Sequence, residues 1–162
     1  MGKEKNHVLL CKYSYIIFAI SGLMQFSITL MLLGMLAMTI SLILLYAQRA
    51  EVRDTPLESH FQWLIRTFWI GGGVYLPVVT VIAFCIIYPN LDISLLYDAI
   101  ASGQVTSIEE MGDAVMSQNK WLFTGVFAAL GLPFIAWWLY RCWKGYRLLE
   151  QQKSIVNATS WL

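Results

Sequence analysis

Few side chains in this sequence can do chemistry, and they gather in the stretch from Pro56 to Trp69, PLESHFQWLIRTFW. Glu58, Gln62 and Arg66 are spaced four apart, which places a carboxylate, an amide and a guanidinium on one face of a helix. His60 shares a second face with Trp63 and Thr67. An imidazole beside a carboxylate can relay a proton near neutral pH. The expectation is a polar cluster of Glu58, His60, Gln62 and Arg66 at the inner membrane surface. It would act as an interfacial anchor or, in the sharper reading, as a site facing a cavity or a partner subunit.

The other reactive groups are scattered. His7 is the second of only two histidines, too few donors in different segments for a haem or metal site. Cys11, Cys85 and Cys142 form no C-x-x-C pair and read as small buried hydrophobes. Asp92, Asp98, Glu109, Glu110 and Asp113 match no calcium loop and read as a solvated acidic surface. Asn157-Ala158-Thr159 fits a glycosylation acceptor, but it falls on the segment expected to be cytoplasmic. There is no nucleophile motif and no phosphate-cradling loop. The expectation is therefore no catalytic residue, no metal, no cofactor and no enzyme. A net charge of +1 also argues against nucleic acid as a partner.

The elements that carry these residues are set by composition. The 162 residues are 58% apolar and 13% charged, with a mean hydropathy of +0.61. That is about half the charge of a soluble domain. Tyr13 to Gln48, Thr67 to Leu91 and Trp121 to Tyr140 contain no Asp, Glu, Lys or Arg over 36, 25 and 20 residues. About 20 helical residues cross a bilayer, so the second and third stretches are one span each. The first is too long for one span and must turn, best between Gly22 and Thr29.

The resulting fold class is an all-α integral membrane protein with four transmembrane helices, at about 8–24, 30–47, 67–88 and 121–143. Residues 1–162 form one membrane domain, with an outer helical loop at 90–119 and a cytoplasmic tail at 144–162. Lys and Arg near span ends stay cytoplasmic. Lys3, Lys5 and Lys12 at one end and Arg141, Lys144, Arg147 and Lys153 at the other put both termini inside. The basic N-terminus joins the inside only if the first stretch crosses twice. The apolar run also exceeds an ordinary signal peptide, which makes the first segment an uncleaved anchor.

Pro56 to Trp69 is expected as an amphipathic start to the third span, capped by Asp54 or Thr55 with Pro56 as first residue. Trp63 and Trp69 suit headgroup depth. Gly71, Gly72, Gly73 and Pro77 mark a hinge or a close helix contact. Gly125 and Ala129 form a small-x-x-x-small pair on the last span, which Pro133 kinks. In the outer loop Ser107 and Glu110 resemble a capping box, so two short helices should form a compact cap.

Glu58 to Trp69, together with Tyr140-Arg141-x-x-Lys144-Gly145-Tyr146, resembles a family of small bacterial membrane proteins of unknown function. That family is distantly similar to the import-channel component of the chloroplast inner envelope. The resemblance implies a four-helix fold in the bacterial inner membrane and carries no catalytic residues. The leading functional expectation is a non-enzymatic accessory or structural subunit of a membrane complex. Its partners would be membrane lipids and other membrane subunits, or further copies of itself. The alternative is a small channel or transporter-like conduit.

Overall fold

The computed structural model describes residues 2–25, 27–103 and 107–158, and every regular element within them is helical. Four helices are long and apolar enough to cross a membrane: Lys5–Met24, Leu30–Gln48, Pro56–Asn90 and Lys120–Glu150. The chain has the architecture of a multi-pass membrane protein. The long uncharged stretch does turn: α1 (Gly2–Met24) ends and α2 (Ile28–Gln48) begins on either side of Phe26, which lies outside the described residues. Polar groups hold the turn, with the Ser27 N–H donating to the Met24 carbonyl at 3.2 Å. The Gln25 side chain donates to Ser21 O at 3.3 Å.

Helix α3 (Pro56–Phe68) starts with Thr55 as its N-cap residue and Pro56 at the first turn. The Thr55 hydroxyl binds Val52 O at 2.6 Å instead of the helix. The Glu58 carboxylate accepts the N–H of Asp54, the residue before the N-cap, at 2.9 Å, which fixes the entry of the chain into the helix. A π-helical segment, Trp69–Tyr75, leads on to α4 (Leu76–Asn90). A second, Phe127–Gly131, joins α7 (Lys120–Val126) to α8 (Leu132–Glu150).

Both π segments end two residues before a proline, Pro77 or Pro133. Proline offers no N–H to the carbonyl four residues back, and its ring crowds that carbonyl. Widening the preceding turn relieves the conflict without breaking the helix. The Leu76 N–H accordingly reaches Gly71 O, five residues back.

The chain divides into two compact units, Met1–Leu76 with Phe134–Leu162, and Pro77–Pro133. In the first unit α3 lies at the centre. Leu57, His60, Phe61, Trp63, Leu64, Ile65 and Thr67 are all buried, packed on α1 and α2 and joined to α8 by hydrogen bonds. Trp63, expected at headgroup depth, is 1% exposed. Lipid tails are as apolar as leucine and offer no acceptor, so a face carrying an imidazole, an indole N–H and a hydroxyl gains most from protein neighbours.

Two further contacts tie this unit together. The Ser41 hydroxyl donates to Ser14 Oγ at 2.8 Å between α1 and α2. Trp138 of α8 stacks on Phe18 at 5.8 Å between ring centroids, 9° from parallel, and its indole N–H donates to Phe18 O at 2.8 Å. The slot for this ring exists because Gly22 and Gly71 lack a Cβ, which would fall 2.6 and 2.5 Å from it.

The second unit contains α5 (Ser94–Ala101) and α6 (Ile108–Gln118) between α4 and α7. The expected capping box is present. Ser107 Oγ accepts the Glu110 N–H, and Glu110 Oε2 accepts the Ser107 N–H, both at 3.2 Å. Asn119 closes the base of this cap. Its Oδ1 accepts the Asp92 N–H at 2.8 Å and its Nδ2 donates to Asp92 O at 2.6 Å. The two ends of the segment between α4 and α7 are thus clamped by one side chain.

Candidate functional site

His60 is 1% exposed and both its ring nitrogens are engaged. Nε2 lies 2.9 Å from Lys153 O, a pure acceptor, so Nε2 carries a proton. In the neutral ring Nδ1 must then accept, and the Tyr15 hydroxyl at 3.0 Å supplies the donor. One imidazole therefore joins α1, α3 and the segment after α8. The same segment is held a second time, where Ser59 Oγ accepts the Ile155 N–H at 2.9 Å. Tyr15 reaches His60 by lying against Gly145, where any Cβ would collide with its ring.

Two turns further along the same face, Thr67 Oγ1 accepts from Arg141 Nε at 2.9 Å and donates to Trp63 O at 2.7 Å. Arg141 is fully buried, its guanidinium 3.6 Å from the Trp63 ring centroid and 5.3 Å from that of Trp137. The aromatic faces supply the negative potential that a buried cation requires.

Beside His60 a cavity of about 670 Å³ opens where α1 begins, α2 ends, α3 begins and α8 ends. Its polar wall holds His7, Lys12, Glu51, His60 and Glu150, and its apolar wall includes Val52 and Leu57. Two polar contacts cross it, His7 Nε2 to the Glu51 carboxylate at 3.4 Å and the Lys12–Glu150 ion pair at 3.8 Å.

The second unit has a groove of a different character. It measures about 530 Å³ and is lined by Val79, Ala83 and Ile87 of α4 and by Phe123, Phe127 and Leu130 opposite. Helix α4 buries no side chain. Val78, Val81, Phe84 and Tyr88 stand exposed along it.

The residues singled out by sequence separate into two sets. Glu58, Gln62 and Arg66 form the more open strip of α3. Gln62 Nε2 donates to Glu58 Oε1 at 3.0 Å, while Arg66 Nε is buried without a hydrogen-bond partner among the described residues. His60 faces the other way, into the core. Gly71 makes the close contact with Trp138, Gly73 lies near Trp69, and Gly72 has open space. Gly125 also has nothing within 4 Å, and Ala129 is exposed.

Among the described residues no group of three or more potential metal ligands comes together. The cysteines are free, Cys11 and Cys142 buried and Cys85 exposed. The pattern Asn157-Ala158-Thr159 reaches outside the described residues. Sequence reasoning missed Tyr15, Glu51, Glu150 and the depth of Arg141. The one local signal was Gly145 between Lys144 and Tyr146, a small residue in an otherwise bulky girdle.

Compared with protein-family models, with curated proteins and with solved structures, the chain matches none.

Proposed function

We propose that the protein is a non-enzymatic accessory subunit of a membrane complex, and that its second unit receives a transmembrane helix of a partner subunit. The observation that carries this reading is the contrast within one chain. The first unit fills its interior around α3, whereas α4 buries no side chain and flanks an open apolar groove. Small residues let helix backbones approach closely in a bilayer. Ala83 and Gly131 line the groove, and Gly125 leaves open space near it in sequence.

The resemblance read in Glu58–Trp69 belongs to the same proposal, as does placement in a bacterial inner membrane with both termini cytoplasmic. The conduit reading draws on the two π segments before Pro77 and Pro133, where a span can bend. The subunit reading has the stronger support, because a long apolar helix that buries none of its side chains leaves a face for another helix to cover.

Photo-crosslinking amino acids at Val79, Ala83 and Phe127 in the native membrane test the proposal. A discrete crosslinked partner in fixed ratio is expected, with Ala83→Trp abolishing it. Crosslinks to lipid alone, together with a monodisperse lone monomer in mild detergent, would overturn it.

A further inference from the structure

We infer that the cavity beside His60 is a binding site for a zwitterion that pairs a primary ammonium with a phosphate, the headgroup chemistry of an ethanolamine phospholipid. The inference stands apart from the subunit reading, since it concerns the other unit.

Position, size and charge converge on this ligand. All four apolar helices have one end here, so the cavity opens where span ends meet headgroups. About 670 Å³ lies inside the range of roughly 300–1,000 Å³ that holds small ligands. Among the charged residues lining it, Lys12 and Lys153 balance Glu51 and Glu150. A purely anionic or purely cationic ligand would leave one pair of charges facing its own sign.

A zwitterion can insert into both contacts, the Lys12–Glu150 ion pair and the His7–Glu51 approach. Its phosphate replaces Glu150 at Lys12 and Glu51 at His7, and its ammonium donates to the two released carboxylates. The existing pairs suit such an exchange. They are long, at 3.4 and 3.8 Å, and the Glu51 and Glu150 side chains are 52% and 50% exposed, so breaking them costs little. The apolar side chains of Val8, Val52 and Leu57 cover the carbon skeleton. A quaternary ammonium has no N–H to give the carboxylates, so choline lipids should bind less well.

The full-length protein, stripped of lipid in a maltoside detergent, tests this by native mass spectrometry. The probes are dioleoylphosphatidylethanolamine, its choline and glycerol counterparts, and free phosphoethanolamine. The ethanolamine lipid should bind about tenfold more tightly than the other two lipids, a difference of about 1.4 kcal/mol. Lys12→Gln and Glu150→Gln should each erase most of that preference, while Glu109→Gln in the other unit should not. Glu51→Gln serves if either variant fails to fold. Displacement of the lipid by free phosphoethanolamine identifies a soluble zwitterion as a sufficient ligand, and binding of the intact lipid alone identifies the bilayer as the source. Equal affinity for the three lipids, or a preference untouched by the variants, would overturn the inference.

Discussion

Arg141 and Trp63 hold each other twice. The guanidinium lies 3.6 Å from the indole ring centroid, and the indole N–H donates to the Arg141 carbonyl at 3.1 Å. Stacking and hydrogen bond use different atoms of each residue, so the pair sets both the separation and the rotation of α3 against α8. Replacing Trp63 with Leu removes a desolvated cation–π contact, a hydrogen bond and ring packing, together about 3 kcal/mol. The unfolding midpoint in detergent should fall accordingly. Arg141→Lys should cost about 2 kcal/mol, because an ammonium is a point charge that cannot stack as a plane. An unchanged midpoint for both variants would show the pair to be incidental.

The Trp138 slot makes a contrast between neighbouring glycines. Gly71→Ala and Gly22→Ala each put a methyl group into the space of the indole and should destabilise by about 1–3 kcal/mol. Gly72→Ala meets nothing within 4 Å and should be neutral or slightly stabilising. Near-ultraviolet circular dichroism reports the loss of Trp138 packing in the first two variants only.

Tyr15→Phe leaves the His60 ring with Nδ1 buried and unanswered. The expected cost is about 1–3 kcal/mol, and the segment around Lys153 should exchange its amide hydrogens faster. Gly145→Ala should produce the same release by pushing Tyr15 away. Slow exchange retained in both variants would show that His60 does not hold the tail.

The cap formed by α5 and α6 should open as a unit. Asn119→Ala removes both bonds to Asp92, and limited proteolysis should then cut between residues 91 and 119 while the long apolar helices stay intact. The Asp92 carboxylate also answers to pH. The Ser94 N–H donates to it at 3.0 Å and holds its pKa below the usual aspartate range. A depressed carboxylate stabilises above the unfolded pKa, about 3.9, and that support is lost as pH falls through the lower folded value. Protease sensitivity of the cap should rise over that acid window, and Asp92→Asn should remove the dependence.

Much of this was legible in the sequence, and unevenly so. The turn near Gln25, the capping box at Ser107 and the spacing of Glu58, Gln62 and Arg66 were readable because each depends on residues within one or two turns of one another. Gly71, Gly72, Gly73 and Pro77 were marked in the sequence as a hinge or close contact; the π-helical form of this stretch follows from how Pro77 crowds the turn before it. The association of Glu58 with Arg66 did not appear, since Glu58 turns back to Asp54 and Gln62. Two residues eight apart on a helix are too distant to pair unless the side chains between them give way.

The number and length of the apolar helices are properties of the sequence itself, because crossing a bilayer depends on a run of uncharged residues and the rise per residue. Tertiary structure decided what each helix face would meet. His60 and Arg141 have no local partners that explain their burial; Tyr15, the Lys153 carbonyl, Trp63 and Thr67 come from other elements. In a bilayer an apolar side chain is equally at ease against lipid or protein, so hydropathy does not distinguish the two. Only the placement of hydrogen-bond donors, acceptors and missing Cβ atoms across several helices selects the packed arrangement.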